Sequence, residues 1–96
     1  MIIRIVKMTF KQEEVSSFVN VFYRNCEKIK SFKGCSAVKL LKDVNSDDVY
    51  FTYSHWNSEA DLNNYRNSEF FKSVWIKTKA LFSEKPEAWS LETCES

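Results

Sequence analysis

Apolar residues recur along the chain with two different periods, and the changes of period mark out its elements. Residues 1–10 carry Ile2, Ile3, Ile5, Val6, Met8 and Phe10, interrupted by Arg4 and Lys7. Their β-branched richness predicts a strand, and apolar groups at both parities predict one covered on both faces. Over residues 11–31 the spacing becomes helical. Val15, Phe18, Val19, Phe22, Cys26 and Ile29 form one stripe, with Glu13, Glu14, Asn20, Arg24, Glu27 and Lys28 on the remaining faces. Thr9 followed by Gln12 has the spacing of a capping box for this helix. Gly34, within Phe32-Lys33-Gly34-Cys35, suits the exit from the helix because it accepts positive φ.

Ala37 to Lys42 then predicts a second strand, Asp43 to Asp48 a polar turn, and Val49 to Trp56 a third strand paired with the second as a hairpin. On the third strand Val49, Phe51, Tyr53 and His55 share one face, and Tyr50, Thr52, Ser54 and Trp56 the other. Asn57-Ser58, with Asp61 following, predicts the cap of a short helix over about 58–66. Asn67-Ser68 predicts a second cap, for a helix carrying Phe70, Phe71, Val74, Trp75, Thr78, Leu81 and Phe82 to about residue 83. Pro86 blocks continuation, and Ala88 to Glu92 reads as a last strand with Trp89 and Leu91 on one side.

The predicted class is therefore α+β, a ferredoxin-like β-α-β-β-α-β order with an antiparallel sheet and a split second helical region. One sheet face packs on the helices and the other is open. The mixed set Tyr50, Thr52, Ser54 and Trp56 makes a poor dry core, so it is expected on the open face, lining a cavity closed by a second copy of the chain. A homodimer follows from that expectation. His55, of opposite parity, is then expected on the helix side or at the rim.

Composition narrows the chemistry. Ninety-six residues allow a single domain, with a core over about 2–92 and a frayed tail at 93–96. Three Trp, four Tyr and eight Phe are many rings for one small core, so some are expected in a pocket or at an interface. A net charge of +1 supplies no field to draw in nucleic acid or an acidic membrane. With Gly34 its one glycine, the chain has no glycine-rich phosphate cradle; with His55 its one histidine, it has no paired-histidine metal motif. Cys26, Cys35 and Cys94 lack metal-binding spacing and read as reduced thiols of a cytoplasmic protein. Charges interrupt the apolar start, so it is not expected to be a signal peptide, and no apolar run reaches the ~20 residues of a membrane span. No cofactor or metal is expected.

The segment Val49-Tyr50-Phe51-Thr52-Tyr53-Ser54-His55-Trp56-Asn57-Ser58-Glu59-Ala60, a strand ending in Trp before a capped acidic turn and a helix with Leu62, resembles the antibiotic biosynthesis monooxygenase family. Ser68-x-x-Phe71 and the Phe32-x-Gly34 step resemble it too, and the likeness runs over about residues 2–92. The resemblance implies a dimeric α/β barrel and oxidation of phenolic, quinol or anthrone-like substrates by molecular oxygen, without metal or flavin. Such chemistry needs a dry aromatic pocket, a group that takes or relays a proton, and donors for an oxyanion. Trp56 matches the family's pocket residues. Thr52 stands where an amide is often found, and Leu62 where a tyrosine can occur. A haem-degrading branch shares the outline, but its axial histidine falls at Trp75 and its first-strand asparagine at Val6, which disfavours haem degradation here.

The expected site is accordingly Trp56, Thr52 and Tyr65 as catalytic residues, with Tyr50, Ser54, Trp56, Leu62, Phe71 and Trp75 around a small aromatic substrate. Each has a plainer alternative. Trp56 can pack at a dimer seam, the hydroxyls of Thr52 and Ser54 can be structural, and Arg4 can snorkel to the edge rather than bind an anion. The alternative function is a non-catalytic small-molecule binding or sensing protein of the same fold.

Overall fold

A computed structural model describes residues 1–94. Strands β1 (Ile2–Thr9), β2 (Cys35–Lys42), β3 (Val49–Trp56) and β4 (Glu87–Leu91) alternate with helices α1 (Val15–Lys30), α2 (Glu59–Arg66) and α3 (Glu69–Lys79) in the predicted order. They form one antiparallel sheet, ordered β2-β3-β1-β4. This is the α+β ferredoxin-like arrangement, with the second helical region split. The expected frayed tail reaches residues 95–96, which lie outside the described residues. Among the described residues, no helix is long and apolar enough to cross a membrane.

Element ends differ from expectation where backbone groups find other partners. Thr9 closes β1 opposite Val49 and caps nothing; a 3-10 turn, Gln12–Glu14, follows Lys11 without a side-chain cap and leads into α1. Strand β2 begins two residues early because Ser36 is an extra residue in its ladder: Cys35 pairs with Trp56, yet Ala37 pairs with His55. Helix α3 stops at Lys79 rather than near 83. Its next residues are tied instead to the end of β1, by Lys11 N–H to the Leu81 carbonyl (3.0 Å) and Ser83 N–H to the Thr9 carbonyl (2.9 Å).

The faces of the sheet are the reverse of those expected. Arg4, Val6 and Met8 of β1 stand opposite Ser54, Thr52 and Tyr50 of β3, and this set lies under the helices. Tyr50 packs edge-on against Phe10 (6.2 Å) and Phe18 of α1 (5.8 Å), and Phe10 stacks on Phe18 at 4.1 Å. With Met8, Phe22 and Val38 they make the buried cluster, each large side chain contributing about 1.5–3 kcal/mol. The polar members of this face are accommodated: the Trp56 indole N–H donates to Ser54 Oγ at 2.9 Å, while Thr52 and Ser54 border empty space rather than packed carbon. Ile3, Ile5, Phe51, Tyr53 and His55 occupy the open face, together with Trp89 and Leu91, which are 41 % and 48 % exposed. His55 is thus away from the helices, and its Nε2 is 2.6 Å from the Tyr53 hydroxyl.

Candidate functional site

Between sheet and helices lies a cavity of about 280 Å³, at the lower end of the ~300–1,000 Å³ typical of ligand pockets. Arg4, Val6, Met8, Val38, Thr52, Ser54 and Ala88 of the sheet line it on one side. Helix α1 supplies Phe22, Asn25 and Ile29, α2 supplies Leu62, Tyr65 and Arg66, and α3 supplies Phe71, Val74, Trp75 and Thr78. The cavity therefore lies on the helix-covered side of the sheet, walled by the chain's own strands and helices, and not on the open face where it was expected.

Two serines set its α2–α3 wall. Ser58 caps α2 by accepting the Asp61 N–H at 3.1 Å, and Ser68 caps α3 by accepting the Phe71 N–H at 3.1 Å. The Ser68 hydroxyl also donates to the Tyr65 carbonyl at 2.6 Å, locking the end of α2 to the start of α3. That linkage presents Tyr65 and Phe71 side by side, ring edge to ring face at 5.1 Å.

Tyr65 is the centre of the aromatic wall. Its ring stacks on Trp56 at 5.0 Å and 25° and meets Phe32 edge-on at 5.0 Å; Phe71 in turn stacks on Trp75 at 5.9 Å. Burial pushes the Tyr65 phenol far above its ordinary range, with a smaller push from the Cys35 thiol. The hydroxyl therefore stays protonated at neutral pH and can donate a hydrogen bond. Burial, and then the neighbouring Arg66 guanidinium, lower the affinity of Arg4 for its proton, and Arg4 Nη1 donates to Ser90 Oγ at 3.0 Å.

Of the residues expected at a site, Thr52, Ser54, Leu62, Tyr65, Phe71 and Trp75 border this cavity. Trp56 and Tyr50 do not. Trp56 is fully buried behind Tyr65, and Tyr50 belongs to the core cluster. Asn25 and Arg66 border the cavity although sequence reading passed over them. Asn25 follows Phe22 by three residues and precedes Ile29 by four, so its place on the apolar stripe was readable. Arg66 reads from sequence only as a cation complementing the end of α2.

Residues 1–74 match the family model described as antibiotic biosynthesis monooxygenase. The chain belongs to that family. Two curated relatives, both named heme oxygenase (staphylobilin-producing) and from two strains of Staphylococcus epidermidis, are 36 % identical over 52 residues. The aligned stretch takes in 54 % of this chain and about half, 49 %, of each relative. A solved structure of a conserved protein from Methanosarcina mazei superposes with a TM-score of 0.91 at 20 % identity, covering 98 % of this chain and 94 % of that one. A structure described as a putative antibiotic biosynthesis monooxygenase from Caulobacter crescentus gives 0.90 at 19 %, with 98 % and 90 % covered. A variant of SnoaB, a cofactor-independent oxygenase from Streptomyces nogalater, gives 0.84 at 15 %, with 99 % and 94 % covered. These structural likenesses establish the family's fold across nearly the whole chain.

Proposed function

We propose that the chain is a cofactor-independent monooxygenase that oxidises an aromatic or quinol-like small molecule in the cavity beneath its helices. The observation that carries this reading is Tyr65, held protonated on the wall of a small apolar cavity that Thr52 and Ser54 also line. A phenolic substrate must lose a proton before it can reduce oxygen. Donors placed where its oxyanion develops, in surroundings poor in water, favour that ionisation. Among the described residues no carboxylate or imidazole borders the cavity, so the proton leaves to water and Tyr65 acts as a donor rather than a base. The substrate anion then passes one electron to oxygen. Recombination forms a carbon-bound peroxide, and loss of water leaves the carbonyl product, one oxygen atom going to product and one to water. Trp56 supports this indirectly, backing the Tyr65 ring and holding Ser54 Oγ.

The relatives' haem does not suit this lining. The histidine lies on the other sheet face, the Trp75 indole cannot ligate iron, and ionisation of Tyr65 is opposed. Met8, the remaining soft donor, is packed into the core cluster. The second element of the proposal is a homodimer joined through the open face, where Ile3, Ile5, Phe51 and Tyr53 stand together with Trp89 and Leu91.

Oxygen uptake with a panel of hydroquinones and anthrones tests the activity. Uptake above the uncatalysed rate should fall about 10²-fold in Tyr65→Phe, the scale of one lost oxyanion donor, and less in Trp56→Phe. Uptake that is indifferent to Tyr65→Phe would place the chemistry elsewhere. Binding of these compounds without uptake would leave a binding protein.

A further inference from the structure

Two arginines border the same small cavity, Arg4 from near the start of β1 and Arg66 from the last turn of α2. The chain has 13 carboxylate side chains, yet among the described residues neither arginine has one within 4.0 Å. The ion pairs that do form are elsewhere, Lys30 with Glu27 and Lys42 with Asp47. Burial disfavours the charge on Arg4, and Arg66 lies near enough to add to that effect. Each has a separate structural excuse: Arg66 complements the helix terminus, and Arg4 is bonded to Ser90 of the edge strand β4. Neither excuse accounts for two unpaired cations beside one apolar space.

We propose that Arg4 and Arg66 jointly bind the carboxylate of a small aromatic acid whose ring fills the apolar part of the cavity. Guanidinium forks match the planar carboxylate, and Ser90 occupies only one of the five donors of Arg4. Among the described residues the cavity offers no glycine, lysine or acidic side chain, so these supply neither the backbone cradle of a phosphate site nor the ligands of a cation site. The apolar body meets Leu62, Phe71, Val74 and Trp75, and Tyr65, next to Arg66 in sequence, borders the same space. The inference rests on the cavity being the ligand site proposed above, but not on its being catalytic.

Calorimetric titration with 1-naphthoate and with its methyl ester separates the two claims. The acid should bind roughly tenfold or more tightly than the ester, the scale of charge-assisted bonds at a partly exposed site. Arg66→Gln, a change at an exposed residue, should weaken the acid by about tenfold and leave the ester unchanged; Arg66→Lys should restore part of the loss. Equal binding of acid and ester, or an acid indifferent to Arg66→Gln, overturns the carboxylate site and leaves the cavity as a ligand site. Binding of neither compound overturns both.

Discussion

Replacing Gly34 by alanine perturbs the joint on which the cavity wall is mounted. Gly34 has φ +86°, and a Cβ built there would lie 2.5 Å from Asp61 Cγ and 2.6 Å from Asp61 Cβ. Carbon atoms rest at ~3.5–4.0 Å, so a gap of about 1 Å must open. Rotating the Asp61 side chain cannot supply it, because Asp61 Cβ is fixed to the first turn of α2. Both sides are pinned: the Asp61 N–H is bonded to Ser58 Oγ (3.1 Å), and the Gly34 carbonyl accepts the Asn57 N–H (2.8 Å). Left-handed backbone costs alanine about 1–2 kcal/mol and overpacking about 1–3 kcal/mol, against about 0.4–1 kcal/mol returned through the stiffer unfolded chain. The net loss is about 1–4.5 kcal/mol, which for a domain of this size lowers Tm by roughly 5–35 °C. Urea and thermal unfolding of Gly34→Ala, Asp61→Gly and the double variant measure it. Asp61→Gly should recover the overpacking share in the Gly34→Ala background, whereas Asp61→Ala, which keeps the Cβ, should not. A loss below about 0.5 kcal/mol, or strict additivity of Gly34→Ala with Asp61→Gly, would refute the close approach.

Two further outcomes bear on the site and on the open face. The folded state raises the pKa of Tyr65 while the unfolded phenol ionises near its ordinary ~10, so above that pH the unfolded chain holds fewer protons and stability declines. Below ~10 this group gives no pH dependence; denaturation midpoints across pH 8–11 should fall less steeply in Tyr65→Phe, and identical slopes would contradict its burial. The wild-type chain should sediment at twice its 11.4 kDa at micromolar concentration, and Phe51→Glu, on the open face, should sediment as a folded monomer; a wild-type monomer would remove the open face as an interface.

The order of elements was legible because each segment has a clear period: the α1 stripe from Val15 to Ile29 packs on the core as spaced, and β3 has the predicted ends. The division of β3 into two sets was legible too, since parity is a local property. Which set meets the helices was not. Tyr50, Thr52, Ser54 and Trp56 read as too polar for the covered side, because their satisfaction depends on contacts absent from local sequence: Phe10 and Phe18 around Tyr50, Ser54 under the Trp56 N–H, and open space beside Thr52. Lys7 beside Phe51 and Lys39 beside Tyr53 would have marked the other set as solvent-facing, but those pairings require the register of three strands. Arg66 escaped notice for a similar reason. A cation at a helix end is ordinary until Arg4 is seen on the same cavity.

Trp56 and Tyr50 touch none of the cavity, yet they determine what does. A one-residue slip of β3 would exchange its faces, bringing Tyr53 and His55 under the helices and turning Thr52 and Ser54 outward. The strand is held against that slip at both ends. Tyr50 is wedged between Phe10 and Phe18 near one end, and Trp56 is sealed behind Tyr65 at the other, with no exposed surface. Neither ring can move to the opposite face without giving up its place to a smaller or more polar side chain, since a slip one way brings Asn57 to the position of Trp56 and a slip the other way brings Val49 to that of Tyr50. The irregular residue of the sheet lies accordingly in β2, at Ser36, where an extra residue shifts the edge strand and leaves the pairing of β3 with β1 unbroken from Trp56 to Val49. The two largest anchors of β3 therefore act on the site by fixing parity, which is why Thr52, Ser54 and Arg4 face one cavity at all.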